Sequence, residues 1–164
     1  VVAVSSSLLV ALPALMATQF WVPPALAETS TPASAPIKVP DITGTWQAEL
    51  APGRTVTWVF APQGKLFMTA PPPEGLPPRA LELRYQVNAN SKPMGLNIDL
   101  APQRTVLTIF ELVTPDQMRV QIVGTEPGGS RPTSFNRPAL FRQLSKATTL
   151  PPNTEVIGWQ GATR

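Results

Sequence analysis

The chain contains neither cysteine nor histidine. Without cysteine it has no disulfide, thiolate metal site or thiol nucleophile. Without histidine it lacks the commonest general base near neutral pH and the commonest metal ligand, and a Ser-His-Asp triad is excluded. Charged side chains are sparse at 14 %, against an average of about 25 %. The net charge of +3 comes without any block of Lys and Arg that would track a phosphate backbone, so no nucleic-acid partner is expected. Acidic residues are scattered rather than clustered, so neither a metal nor a cofactor is expected. A P-loop, a dinucleotide fingerprint and a helical period longer than a turn or two are also missing. Proline is abundant, at 21 of 164 residues, well above the average of ~5 %. Such a chain should be rich in turns and poor in helix.

Residues 1–27 carry no charge. Leu8 to Leu15 is an apolar run, and Ala25-Leu26-Ala27 is an A-x-A site followed by Glu28. The pattern predicts a secretory signal peptide cleaved after Ala27, although no Lys or Arg precedes the run. The competing reading is an uncleaved anchor, since the uncharged stretch 1–27 is long enough to span a bilayer; Pro13 and Pro23-Pro24 interrupt it. Residues 28–40 (ETSTPASAPIKVP) are rich in Pro, Ser and Thr and read as a linker that cannot bury enough apolar surface to order itself. The expected organisation is a signal peptide over 1–27, a linker over 28–40, a β-domain over 41–147 and a polar tail over 148–164 that either lies on the domain or stays mobile. Export places the protein outside the cytoplasm, in a periplasm or secreted, or in a thylakoid lumen if the source is photosynthetic. No membrane span would remain after cleavage.

The folded region alternates with period two, the mark of half-buried strands. Trp46, Ala48 and Leu50 share one face of the first run, opposite Thr45, Gln47 and Glu49. Val56, Trp58 and Phe60 share a face of Arg54 to Ala61, and Pro62-Gln63-Gly64 turns the chain into Lys65 to Ala70. Pro71 to Pro78 cannot be a strand interior, because its prolines lack the N–H that a ladder needs. It is a rim spacer or, alternatively, a Pro-rich peptide ligand. Leu81, Leu83, Tyr85 and Val87 then alternate, followed by Met94, Leu96, Ile98 and Leu100. Arg104 to Val113 is apolar on both faces and should be covered on both sides. Met118, Val120 and Ile122 form the seventh run. Thr133 to Ser145 forms the eighth, with Phe135, Leu140, Phe141, Arg142 and Leu144. Eight short strands joined by hairpin turns predict an all-β, eight-stranded, up-and-down antiparallel barrel, with a two-sheet sandwich as the alternative.

Gly44-Thr45-Trp46 at the head of the first strand resembles the G-x-W of lipocalins and their calycin relatives. In those families the Trp plugs the closed end of the barrel and packs against an Arg on the last strand, which would make Trp46 the plug and Arg142 its partner. A longer stretch resembles a lipocalin-like domain of unknown function from bacterial secreted proteins, first described in planctomycetes. It comprises Pro93 to Leu100 (PMGLNIDL), Ile109-Phe110-Glu111-Leu112, Met118-Arg119-Val120 and Arg131-Pro132-Thr133-Ser134-Phe135. Phe110 stands where that pattern has Tyr, and several of its glycines are absent. The resemblance implies a lipocalin-like barrel and brings no catalytic residue.

Three functions remain open at this point. The first is a non-enzymatic accessory or adaptor, working through its surface on a protein partner in an envelope or lumenal assembly. The basic excess, the Arg131-Pro132 loop and the tail around Trp159 motivate it. The second is binding of a small apolar ligand inside the barrel by Trp58, Phe60, Tyr85 and Phe110, with the Tyr85 hydroxyl as the polar handle. These side chains would equally serve to fill the interior. The third is a hydrolase using Asp99 and Glu111, since glycosidases need only two carboxyls; against it, these residues read as surface charges paired with Arg84, Arg104 or Arg119.

Overall fold

The computed structural model describes residues 38–158. The expected signal peptide, most of the linker and Trp159 lie outside the described residues. The ring consists of β1 (Gly44–Ala51), β2 (Arg54–Ala61), β3 (Lys65–Thr69), β4 (Arg79–Asn88), β5 (Met94–Ala101), β6 (Arg104–Thr114), β7 (Gln117–Val120) and β8 (Ala139–Ser145). Each strand pairs antiparallel with its sequence neighbour, β3 pairs with β4, and β1 pairs with β8, so the sheet closes into an up-and-down barrel without a crossover. Closure leaves no strand of the ring with a whole edge unpaired. This is the architecture that the alternation and the turn signals predict.

A ninth strand, β9 (Glu155–Ile157), runs parallel to the first residues of β4, Arg79 to Leu81. β5 pairs only with Arg84 to Asn88, and the tail occupies the ladder edge that β5 leaves open. Arg79 Nε donates to Glu155 Oε2 at 2.9 Å alongside it. The part of the tail that is described therefore docks on the domain.

Period two sorts the side chains as expected over most of the ring. Trp46, Phe60, Leu66, Leu83, Leu96, Phe110, Met118, Val120 and Phe141 point inward and are almost wholly buried. Eight strands enclose a bore just wide enough for side chains to fill, and these residues fill its middle. Trp58 lies 4.5 Å from Phe141 and 5.9 Å from Phe60, and Phe60 meets Tyr85 edge-on at 4.9 Å. Ring pairs at such spacings add to simple burial.

Three expectations need correction. Leu50 does not continue the inward face of β1: the register shifts between Glu49 and Ala51, and Leu50 is 51 % exposed. β7 stops at Val120, so Ile122 belongs to the long loop that follows. β8 begins at Ala139, and Phe135 belongs to that same loop.

The end of the barrel where β1 starts is sealed by the chain that leads into it. Ile42 is buried, and its carbonyl accepts the Trp46 indole N–H at 2.9 Å. Gly44 has a φ of +123°, and a Cβ there would fall 2.5 Å from the Ser145 carbonyl oxygen. Only glycine lets β1 and β8 approach this closely, which gives the first residue of Gly44-Thr45-Trp46 a physical reason. The Thr43 hydroxyl and amide both donate to Asp41 Oδ1, at 2.7 and 2.9 Å, and hold that carboxyl below its usual range. A depressed carboxyl contributes stability that is complete above the unfolded-state pKa of about 3.9 and is lost as pH falls through the folded value. Urea midpoints of the native chain and of Asp41→Ala should therefore differ more at pH 6 than in acid, where Asp41 is protonated in the folded state as well.

Candidate functional site at the barrel mouth

At the opposite end, where β7 leaves the ring, a partly enclosed cavity of about 190 Å³ remains. Its floor and walls are Trp58 from β2, Met68 from β3, Ile98 and Leu100 from β5, and Val106 and Thr108 from β6. Gln121, Ile122 and Thr125 close it from the β7–β8 loop. Each ring residue arrives by inward alternation, and the cavity exists because β7 is only four residues long. Beyond Val120 the chain leaves the ladder as a loop that still touches β6, through Gln121 N–H to Ile109 O, and closes the cavity with Gln121, Ile122 and Thr125.

The cavity's polar groups are nearly all engaged within the protein. The Thr108 hydroxyl donates to the Gln121 carbonyl. The Gln121 side chain donates to the carbonyls of Val123 (2.6 Å) and Asn136 (3.0 Å) and accepts from the Asn136 amide (2.8 Å). The Thr125 hydroxyl donates to the Ile122 carbonyl at 2.7 Å. The Trp58 indole N–H is closed off within the wall and has no acceptor among the described residues. Trp58 itself is only 3 % exposed. A buried donor left unpaired costs about 1–3 kcal/mol.

The loop that walls the cavity is clasped to the outside of the barrel. Arg131 donates through Nη1 to the Thr108 carbonyl, with the Leu96 carbonyl 3.5 Å away, and through Nη2 to Asn97 Oδ1. Its guanidinium lies over Gly95, where a Cβ would fall 2.6 Å from Nη1. The Phe135 ring stacks 4.2 Å from the Arg119 guanidinium, which is itself ion-paired with Glu111. Backbone bonds Gln121 N–H to Ile109 O (3.0 Å) and Gly128 N–H to Thr105 O (3.1 Å) extend the seam. The separate motifs around Gly95, Asn97, Glu111, Arg119, Arg131 and Phe135 thus form one connected structure. This cover also accounts for Ile109, which is buried on the outer face of β6 opposite Gly95.

The residues expected from sequence fall in different places. Trp58 lines the mouth cavity. Phe60 and Phe110 are fully buried in the packed middle of the bore and are not part of the mouth cavity's walls. Tyr85 sits toward the sealed end, beside Asp41, Ile42 and Gly64. Its hydroxyl lies 3.5 Å from the Ala61 carbonyl, and burial, with a contribution from Asp41, pushes its pKa up. Trp46 plugs the sealed end, but Arg142 is not its partner. Arg142 pairs in register with Gln47 and faces outward, because the inward positions of β8 are Phe141 and Gln143. Gln143 takes the inner role by donating to the Thr43 carbonyl at 3.0 Å.

Asp99 and Glu111 do not form a pair. Asp99 accepts from Thr105 at 2.6 Å, whereas Glu111 lies six residues further along β6, roughly 20 Å at strand rise. Paired glycosidase carboxyls sit about 5–9.5 Å apart. Among the described residues no group of acidic side chains is placed to hold a metal ion. A wider cleft of about 570 Å³ flanks the sealed end, between Lys38, Lys92, Met94 and the Glu111–Arg119 pair. The Ser91 hydroxyl there is unpartnered, but Ser91 is only half-buried, and a hydroxyl rotates to suit its surroundings. The smaller mouth cavity is the better-defined site, because its walls are mostly apolar and come mainly from strands of the ring.

Comparison with protein-family models, with characterised proteins and with solved structures finds no match to the chain. The site must therefore be interpreted from its own chemistry.

Proposed function

We propose that this is an exported, lipocalin-like barrel that binds one small apolar molecule at its mouth. The observation that carries the reading is the 190 Å³ apolar cavity bounded by Trp58, Ile98, Val106 and the β7–β8 loop. The arrangement of the ends supports the lipocalin comparison: Gly44-Thr45-Trp46 lies at a sealed end, and the cavity lies at the other. The ligand site is displaced from the one expected from sequence. Phe60 and Phe110 form its foundation, not its lining, and Tyr85 is at the wrong end. Ethylbenzene titrated into protein with labelled methyl groups should shift the NMR signals of Met68, Ile98, Val106 and Ile122, and leave those of Leu66 and Leu83 in place. Unmoved cavity methyls up to the ligand's solubility limit would refute the reading.

A surface role is a second reading, favoured by one observation on β8. Leu140 is 67 % exposed and Leu144 55 %, side by side on the outer face with Arg142 between them. Leu50 and Val123 border Leu140 along a shared cleft. Exposed apolar side chains grouped in this way suit a protein partner. The Arg131 loop does not support this reading, because its guanidinium is occupied by the barrel. A photo-crosslinker at position 140 in the native envelope should give a discrete adduct that one at position 54 does not; equal labelling at both positions would remove the reading.

A further inference from the structure

We infer that the barrel carries a strand-docking slot, the β4 edge from Arg79 to Leu83, which takes an extended peptide from a protein partner that presents an acidic residue followed by two β-branched ones. β9 is the chain's own occupant of that slot, so the tail and the partner exclude each other. The inference is independent of the mouth cavity.

Three features define what the slot takes. The first is backbone. β5 pairs with β4 only from Arg84 onward, so the edge before it needs a strand from elsewhere, and an open strand edge is a template for an extended chain. β9 meets that need in parallel register, with the Glu155 N–H donating to the Pro78 carbonyl at 2.9 Å. The second is charge. Arg79 stands opposite Glu155 in the ladder, and its Nε donates to the carboxylate; a lysine or arginine in that place would meet a like charge. The third is shape. Val156 and Ile157 stand opposite Ala80 and Leu81, and β-branched side chains suit a pleated edge.

β9 is also loosely held. It engages β4 through three register pairs, all of its residues are exposed, and its ion pair joins two exposed side chains, a kind that contributes little. Segments held by so few buried contacts open before the rest of a fold does. Release costs the ring no pairing, because β3–β4 and β1–β8 close the barrel without β9, and residues 146–154 between β8 and β9 form no strand. A partner strand long enough to reach Leu83 makes ladder bonds beyond the three pairs of β9.

The probe is a capped peptide with the sequence of residues 152–158, PNTEVIG, titrated into the full chain and followed by the amide NMR signals of Arg79, Ala80 and Leu81. The full-chain double variant Glu155→Arg/Ile157→Pro empties the slot by removing the charge match and a β-branched residue with its N–H. The peptide should move the three signals in the double variant. The native chain should need at least tenfold more of it, because its tethered tail competes at an effective concentration on the order of millimolar. A peptide with Arg in place of Glu should fail on the double variant and bind the Arg79→Glu chain. On the native chain itself, saturating peptide should speed hydrogen exchange of the Glu155 amide, a readout that needs no variant. An unchanged exchange rate, or equal affinity for the native chain and the double variant, would show that peptide and tail do not share a slot. Unmoved β4 signals in a double variant whose β1–β2 amides keep their native positions would overturn the slot outright. Equal binding of the Glu and Arg peptides would overturn the acidic requirement.

Discussion

Trp46→Ala is expected to cost about 3–5 kcal/mol, the range for removing a fully buried Trp or Phe side chain, and to lower the melting temperature by roughly 15–30 °C in a domain of this size. Trp46 is wholly buried, faces Trp58 across the β1–β2 ladder and binds the Ile42 carbonyl that closes the sealed end. Alanine would leave a cavity and an unpaired carbonyl, and nothing nearby can collapse into the space without moving a strand. Since whole domains are stable by only about 5–15 kcal/mol, the variant should be near the threshold of folding. Arg142→Ala is the control. A lipocalin-type plug would make it nearly as damaging, but the outward-facing side chain found here predicts a change within about 0.5 kcal/mol. Thermal and urea melts of the two variants decide the point; a large loss on Arg142→Ala would contradict the register of β8.

The sequence made the ring legible because alternation and turn chemistry agree along most of it. Arg54–Ala61 forms β2 with the limits that Pro52-Gly53 and Pro62-Gln63-Gly64 mark. What alternation could not show was depth along the bore. Phe60, Phe110 and Trp58 all read as inward, and all are inward; which of them meets a cavity depends on where a neighbouring strand ends. β7 ends at Val120 although Ile122 keeps the period, and just beyond it the Gln121 side chain bonds Val123 and Asn136 of the loop. On β8 the pattern misled. Leu140 and Leu144 are apolar yet face out, so hydrophobicity alone does not choose between the two faces, and Arg142 was assigned the wrong one. The clasp has one signal in the sequence. Gly95 sits inside a strand without a positive φ, and a strand glycine of that kind marks close approach by another group.

That close approach yields the second large effect. Arg131→Ala is expected to cost about 2–4 kcal/mol, because it removes the charge-assisted bonds to Thr108 and Asn97 that hold the loop on the barrel. Gly95→Ala should produce much of the same loss without touching the arginine, since its new methyl would occupy the space of the guanidinium. If both act by undoing one clasp, the double variant should be little worse than the worse single one, giving a coupling of about 1–3 kcal/mol in a double-mutant cycle. Simple additivity would mean that the two residues act separately. Arg131→Lys should recover less than half of the loss, because an ammonium cannot reach the Thr108 carbonyl and Asn97 together as the planar fork does. Hydrogen exchange locates the damage: the Gln121 and Gly128 amides, bonded to Ile109 and Thr105, should lose protection in both single variants while the β1–β2 ladder keeps its own. Because Gln121, Ile122 and Thr125 wall the cavity, the same variants should also weaken ethylbenzene binding, although no side chain lining the cavity has changed. A clasp variant that loosened the loop and left the affinity intact would separate the β7–β8 loop from the binding site.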